Sequence, residues 1–550
     1  MAGQHESAKA ENGAKAENGP QLSKRFPCDL FPTDLPLDGR SRRLVGLEGF
    51  TLLDSMNLQA SNDRADETAS QEAGDPAAEP LMRALGPRDS AQPTADRAIQ
   101  DRQLAADLGS LDTQPKPDTR QRDAEDCFQR GLERAEGGDH QGAVVEFSAA
   151  LACDPRNGRF LMERAYSYRK LGYTYLAIDD FEQAGIHGAG WAAAHNGKGM
   201  VRREKGDLTG ALCDFDAAIR VDPCFAAAYS NRGLCHLERH DYLKAVADLT
   251  MAIDLAGEQV VTLFHRAAAL SRLKRHAEAE ADLDGASLIA PEEASIFNRR
   301  GVAREAQGKL AEAAEDYDSS IALDPTFAPG YANRARLRQR REDYRGAIED
   351  YTRELEFEPG SWQAHARRGQ CYSRLGEMRL AILDLNAALA REDGKAFLFM
   401  ERAQCFGALK NFSRAIADCD EALYRAPNCV SALLERSKWH ERLRNTKGAL
   451  EDLDRAITLK GDHAKSYHLR GRFLLRQGSF EDALGDFEQD IALNPVEPWA
   501  YMGRGDCRAR LGDVMSAAED YRRAAELFAE TGRENERAAA LQRMHQVLVA

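Results

Sequence analysis

From residue 124 onward the apolar positions of this chain recur every 34 residues. One alanine keeps the step without a break: Ala143, Ala177, Ala211, Ala245, Ala279, Ala313, Ala347, Ala381, Ala415, Ala449, Ala483 and Ala517. With Ala124 as position 1, units start at 124, 158, 192, 226, 260, 294, 328, 362, 396, 430, 464 and 498, and that alanine is position 20. Position 8 is small throughout, as in Gly131, Ala165, Gly199, Ala267, Gly301, Ala335, Ser437 and Gly505. Large groups stand at position 4 (Leu161, Tyr229, Phe297, Tyr331) and position 24 (Phe147, Phe181, Phe215, Tyr317, Tyr351, Phe487). This spacing predicts two antiparallel helices per unit, turning near position 15. Positions 8 and 20 then lie level, where small side chains let the backbones approach, and the large groups fill the space between units. A fixed period of this length marks a stacked array, in which each unit buries its apolar face against its neighbours.

The polar positions punctuate the same period. Gly-Asp or a near relative falls at the turn (Gly138-Asp139, Gly206-Asp207, Gly478-Ser479, Gly512-Asp513). Glycine accepts the positive φ of a helix end, and Asp or Ser caps the next helix. Asp-Pro at positions 31 and 32 (Asp154-Pro155, Asp222-Pro223, Asp324-Pro325) stops the second helix, because proline cannot continue it.

With small residues at 8 and 20, an aromatic near 24 and proline at 32, the chain resembles the tetratricopeptide repeat family. The resemblance implies an all-α, right-handed superhelical solenoid whose first helices line a concave groove that binds other proteins. It also implies that positions 2, 5, 6, 9, 12 and 13 face that groove.

One departure from the family pattern is systematic. Position 7 is basic in every unit (Arg130, Arg164, Lys198, Arg232, Arg266 and so on to Arg504), and position 23 is acidic (Glu146, Asp180, Asp214, Asp248, Asp282 and so on to Asp520). The two are equidistant from the turn, so the hairpin brings them level. Twelve basic–acidic pairs follow, as a charge-assisted stitch that fixes register and bridges neighbouring units. A ligand-binding row of arginines is disfavoured, since a binding site would vary along the array.

Residues 1–122 differ in kind. They hold ten of the nineteen prolines and few aromatics, and no 34-residue register extends into them. Such a segment buries too little apolar surface to offset chain entropy, so a disordered N-terminal arm is expected. Within it, Arg40–Leu58 and the amphipathic Ala95–Leu108 are the stretches able to order; the first reads either as a docking peptide for a partner or for the chain's own groove, or as an apolar patch in the tail. Residues 533–550 read as a capping helix over the last unit, with Ala538, Leu541, Met544 and Leu548 on the covered face.

Net charge is −15, which argues against nucleic acid as a partner, because neutralising phosphates needs a basic face. No apolar run reaches the ~20 residues that span a bilayer. The start of the chain is polar, without the basic-then-apolar pattern of a signal segment, and the eleven cysteines include no Cys-x-x-Cys. A cytoplasmic protein without metal, cofactor or disulfide framework is expected. No phosphate loop, nucleophile motif or histidine cluster is present, so no enzyme activity is expected.

Function therefore rests on what varies along the groove. Positions 9 and 13 share a helical face. In the C-terminal half this face carries Arg336, Arg340, Arg374, Lys438, Arg442, Arg472, Arg476 and Arg510, whereas upstream position 13 is mixed, with Glu136, Lys170, Glu204 and Glu238. An acidic protein thus holds a basic stripe, which predicts a scaffold or adaptor gripping acidic protein or peptide segments through charge-assisted hydrogen bonds. The alternative is a regulatory subunit autoinhibited by its own N-terminal arm. A chaperone-tail clamp is disfavoured: it resembles a lysine at position 5, and none stands there. Asn231 and Asn333 occupy position 6, but the units before them lack the rest of that clamp.

Overall fold

The structure, a computed structural model, describes residues 120–549. Among these, every regular element is an α-helix, and there are twenty-five. They alternate as first and second helices of the predicted units. Unit one is Arg120–Glu136 with His140–Cys153, unit six Ala294–Ala306 with Leu310–Leu323, and unit twelve Pro498–Arg510 with Val514–Glu530. The last helix is Glu534–Val549. The expected arm lies outside the described residues, as do Arg40–Leu58 and Ala95–Leu108. Its boundary is corrected at one point: 120–122 already belong to the first helix.

The 34-residue pattern produces the hairpins as expected. Alanine 20 is fully buried in unit after unit (Ala143, Ala211, Ala313, Ala483), and so are the aromatic groups at 24. Glycine at position 8 is required where the ring of position 24 lies on it. A Cβ on Gly199 would come 2.6 Å from the Phe215 ring, and one on Gly301 as near to Tyr317. The second helices stop where proline follows, as at Cys153 before Asp154-Pro155. Asp139, Asp207 and Asp513 cap the helices after the turn by accepting from the backbone N–H groups of Gly142, Gly210 and Ser516. Ser479 makes no such bond.

Position 15 adopts the left-handed conformation in all twelve units. Seven carry glycine there; His240, Lys274, Glu342, Lys410 and Arg444 do so with φ between 58° and 63°. The fold, not the residue, dictates the turn. A side chain in this region costs about 1–2 kcal/mol, and glycine returns about 0.5–1 kcal/mol of that through its freer unfolded chain. Each of the five changed to glycine is therefore expected to stabilise the array by under about 1 kcal/mol, nearly additively because the turns are far apart. Denaturant titration of the quintuple variant should give a higher midpoint; an unmoved one would mean that these turns carry no strain.

Successive first helices touch one another directly along most of the array, for example those of units three and four, six and seven, and eleven and twelve. Side by side, they form a continuous face on which position 13 is exposed in all units but the fourth, position 9 is open in part, and position 6 is partly or fully buried after the first unit. No helix among the described residues is long and apolar enough to cross a membrane.

The last helix covers unit twelve through a different face from the one expected. Ala540 is buried, and Met544 and Val547 pack with it against Met502, Tyr521, Ala525 and Phe528. Of the predicted face only Met544 takes part; Leu541 and Leu548 are exposed. With Ala538, Ala539, Leu541, Leu548 and Val549 spread around this helix, its apolar period does not single out one side.

Candidate functional site

The position-7 ladder forms, and it accounts for most of the arginine in the array. In eleven units the basic residue pairs with its own position 23: Arg164 holds Asp180 at 2.7 and 2.8 Å through a guanidinium fork, and Arg436 holds Asp452 at 2.5 and 2.9 Å. In nine of these units, two and four to eleven, the remaining guanidinium nitrogen reaches back to position 25 of the preceding unit. Arg232 bonds Asp216 at 2.7 Å, Arg334 bonds Asp318 at 2.6 Å and Arg368 bonds Thr352 at 2.9 Å. The ladder thus stitches each hairpin and ties it to its neighbour. Unit three corrects the expectation of twelve pairs. An ammonium is a point donor without the fork, and Asp214 there is taken by Arg202 at 2.6 Å instead of by Lys198.

With the ladder set aside, the first-helix face carries the groove residues. The structure divides the eight predicted cations. Arg336 and Arg340 both close on Glu305 of the preceding unit, at 3.0 and 2.6 Å. Glu305 is buried, and although burial pushes its pKa up, Arg336, Tyr317 and Arg340 outweigh this and hold it below the usual range. Arg476 pairs with Glu441 of the unit before it. Lys438 lies 3.4 Å from Glu435 and 4.2 Å over the Trp439 ring. These four are tied into the array. Like Arg340, Lys438 and Arg476, the residues Arg374, Arg442, Arg472 and Arg510 are exposed.

Arg442 and Arg476 both act electrostatically on Arg472 at the boundary of units ten and eleven. Burial first, and then the charges of Arg476 and Arg442, lower the pKa of Arg472, with Glu441 opposing. Arg472 thus lies near two other guanidinium groups and one carboxylate, which Arg476 already holds. Upstream the pairs run with opposite polarity: Arg169 and Arg203 at position 12 meet Glu204 and Glu238 at position 13. Asn231 and Asn333 do not line a clamp either. Each donates across a unit boundary at 2.8 Å, to Asn196 and Asn298, and both are buried.

Position 12 was the signal missing from the sequence reading, which followed positions 9 and 13. Position 6 also carries an unanticipated residue, Arg299. Among the described residues no group of His, Cys, Asp and Glu is arranged to hold a metal, and the ten cysteines there are free thiols.

The family model for the tetratricopeptide repeat matches residues 196–259, 264–326, 333–396 and 468–531. Solved structures similar to the chain include yeast Tom70, at 15% identity over 78% of this chain and 96% of that one, with a TM-score of 0.36. A tetratricopeptide repeat protein from Parabacteroides merdae is 20% identical over 45% of this chain and 98% of its own, with a TM-score of 0.37. Cut9–Hcn1, the APC/C hetero-tetramer, is 15% identical over 75% and 94%, with a TM-score of 0.36. No curated protein matches.

Proposed function

The chain belongs to the tetratricopeptide repeat family, and from that premise we propose that it is a non-enzymatic adaptor whose groove holds acidic segments of partner proteins. One observation carries the reading: Arg442 and Arg472 are exposed, close to a third guanidinium and to a single carboxylate, on the face the family uses for binding. Like charges held together oppose folding, and a visiting anion relieves that repulsion. The stripe is narrower than its sequence suggests. Arg336, Arg340 and Arg476 already serve Glu305 and Glu441, so the free basic surface centres on units ten and eleven.

Single exposed ion pairs are weak, about 0–1 kcal/mol each, so several act together and binding falls with added salt. The test uses a fluorescein-labelled glutamate-rich peptide and its glutamine counterpart. The double variant Arg442→Glu, Arg472→Glu, which leaves the Arg476–Glu441 pair in place, should weaken the glutamate peptide more than tenfold without changing thermal unfolding. Equal affinity for the two peptides, or indifference to the double reversal, would reduce the stripe to a solvated face.

A further inference from the structure

Arg299 is position 6 of unit six, on the first helix Ala294–Ala306 and next to the ladder residue Arg300. Ladder arginines lie between two acceptors; Arg300 holds Asp316 and Asp284, each through bonds of 2.7–2.8 Å. Arg299 has no carboxylate within ion-pair reach among the described residues. Its guanidinium carbon instead sits 4.0 Å above the centre of the buried Phe264 ring. The charge felt most strongly is another cation: burial, and then Arg272, push Arg299 down to about 9. Arg299 and Arg203, after burial, push His265 down to about 3, so this imidazole is neutral at physiological pH. At the same position in units four and seven, asparagine bonds across the unit boundary; Arg299 makes no such link.

A desolvated cation without a counter-charge is costly, and a cation–π contact recovers only about 0.5–2 kcal/mol of that. The contact also occupies one face of the guanidinium plane and leaves its N–H edge available. Arg299 is half-buried rather than sealed.

We propose that Arg299 is a second oxyanion subsite of the groove, which takes a carboxylate or phosphoryl group on the partner segment. Phe264 backs the guanidinium plane, and the fork of N–H groups donates to the two oxygens of the anion. Neutral His265 lies beside it without competing for the charge. The proposal rests on the adaptor reading, but it lies four units upstream of Arg442 and is separable from that stripe.

The experiment uses the full chain and three labelled peptides of one sequence, with glutamate, phosphoserine or glutamine at the central position. Arg299→Gln is expected to weaken the glutamate or the phosphoserine peptide at least fivefold, leave the glutamine peptide unchanged, and unfold at the same or a higher temperature. Whichever acidic peptide loses more identifies the oxyanion. Arg299→Lys, which keeps the charge without the fork, should fall between. An Arg299→Gln affinity within twofold of the parent for both acidic peptides, or a lowered unfolding temperature, would overturn the subsite and make Arg299 a packing residue. If Arg299→Gln weakens binding and the Arg442, Arg472 reversal does not, the stripe fails and the subsite stands; the opposite pattern keeps the stripe and removes the subsite. A parent protein that binds neither acidic peptide refutes both.

Discussion

Replacing Arg402 by alanine is expected to cost about 3 kcal/mol, the scale for breaking a buried pair and leaving one charge behind, and to cost more than the same change at Arg300. Both are ladder residues, but their carboxylates differ in what remains. Asp418 is 5% exposed, and its bonds are to the fork of Arg402, at 2.6 and 2.9 Å. Asp316 is 2% exposed and keeps a second cation, because Arg304 also bonds it at 2.9 Å. Arg300→Ala is therefore expected to cost about 1–3 kcal/mol. Chemical denaturation of both variants gives the order. Equal losses would mean that the ladder acts through helix packing rather than through its carboxylates.

The second large effect is a gain. Position 27 is alanine in most units, fully buried at Ala150, Ala184, Ala218, Ala388 and Ala456. Unit seven has Glu354 there, 5% exposed, with one carboxylate oxygen accepting from the Ser361 hydroxyl at 3.0 Å and the other without a partner. Burial lifts its pKa to about 7, against the opposing effects of Ser361 and Arg367. In the unfolded chain a glutamate titrates near 4.5. The folded state therefore binds the extra proton between these values, and stability falls as pH rises from about 4.5 to about 7. Glu354→Ala should remove that slope. The variant is expected to gain up to about 3.5 kcal/mol at pH 8, at ~1.4 kcal/mol for each pH unit between the folded and unfolded titration points, and little or nothing at pH 4.5. Thermal unfolding at the two pH values decides it, and a gain that is the same at both would show that cavity and packing changes dominate.

Helices, turns and ladder were legible because each is repeated in phase, so that even a weak local signal such as a lone Asp at a turn adds up over twelve copies. The exceptions come from chemistry that the period does not carry. Lys198 occupies the right place with the wrong donor geometry. His240 and Glu342 sit at a turn whose left-handed shape the rest of the hairpin imposes. The groove was harder to read. Its pairs cross unit boundaries at offsets of 31 and 35 residues, Glu305 with Arg336 and with Arg340, so aligning units in a register of 34 places the partners in different columns. Arg299 escaped notice because it stands beside a ladder arginine, and only the structure shows one with acceptors on two sides and the other over a ring.

The ladder bonds to positions 23 and 25 each span 16 residues, forward within the unit or back to the unit before. A contact rule so short is satisfied whichever copy comes next. Excising residues 260–293 would place Arg300 against Thr250, the acceptor that Arg266 now uses at 3.2 Å. Units are in this sense interchangeable parts, and the number of copies can change without redesigning any joint. The cost of such an edit falls on the binding face, where Glu305 is matched to Arg336 and Arg340 of the one unit that follows it. The scaffold tolerates loss or duplication of a module, while the order of charges along the groove records one particular arrangement of them.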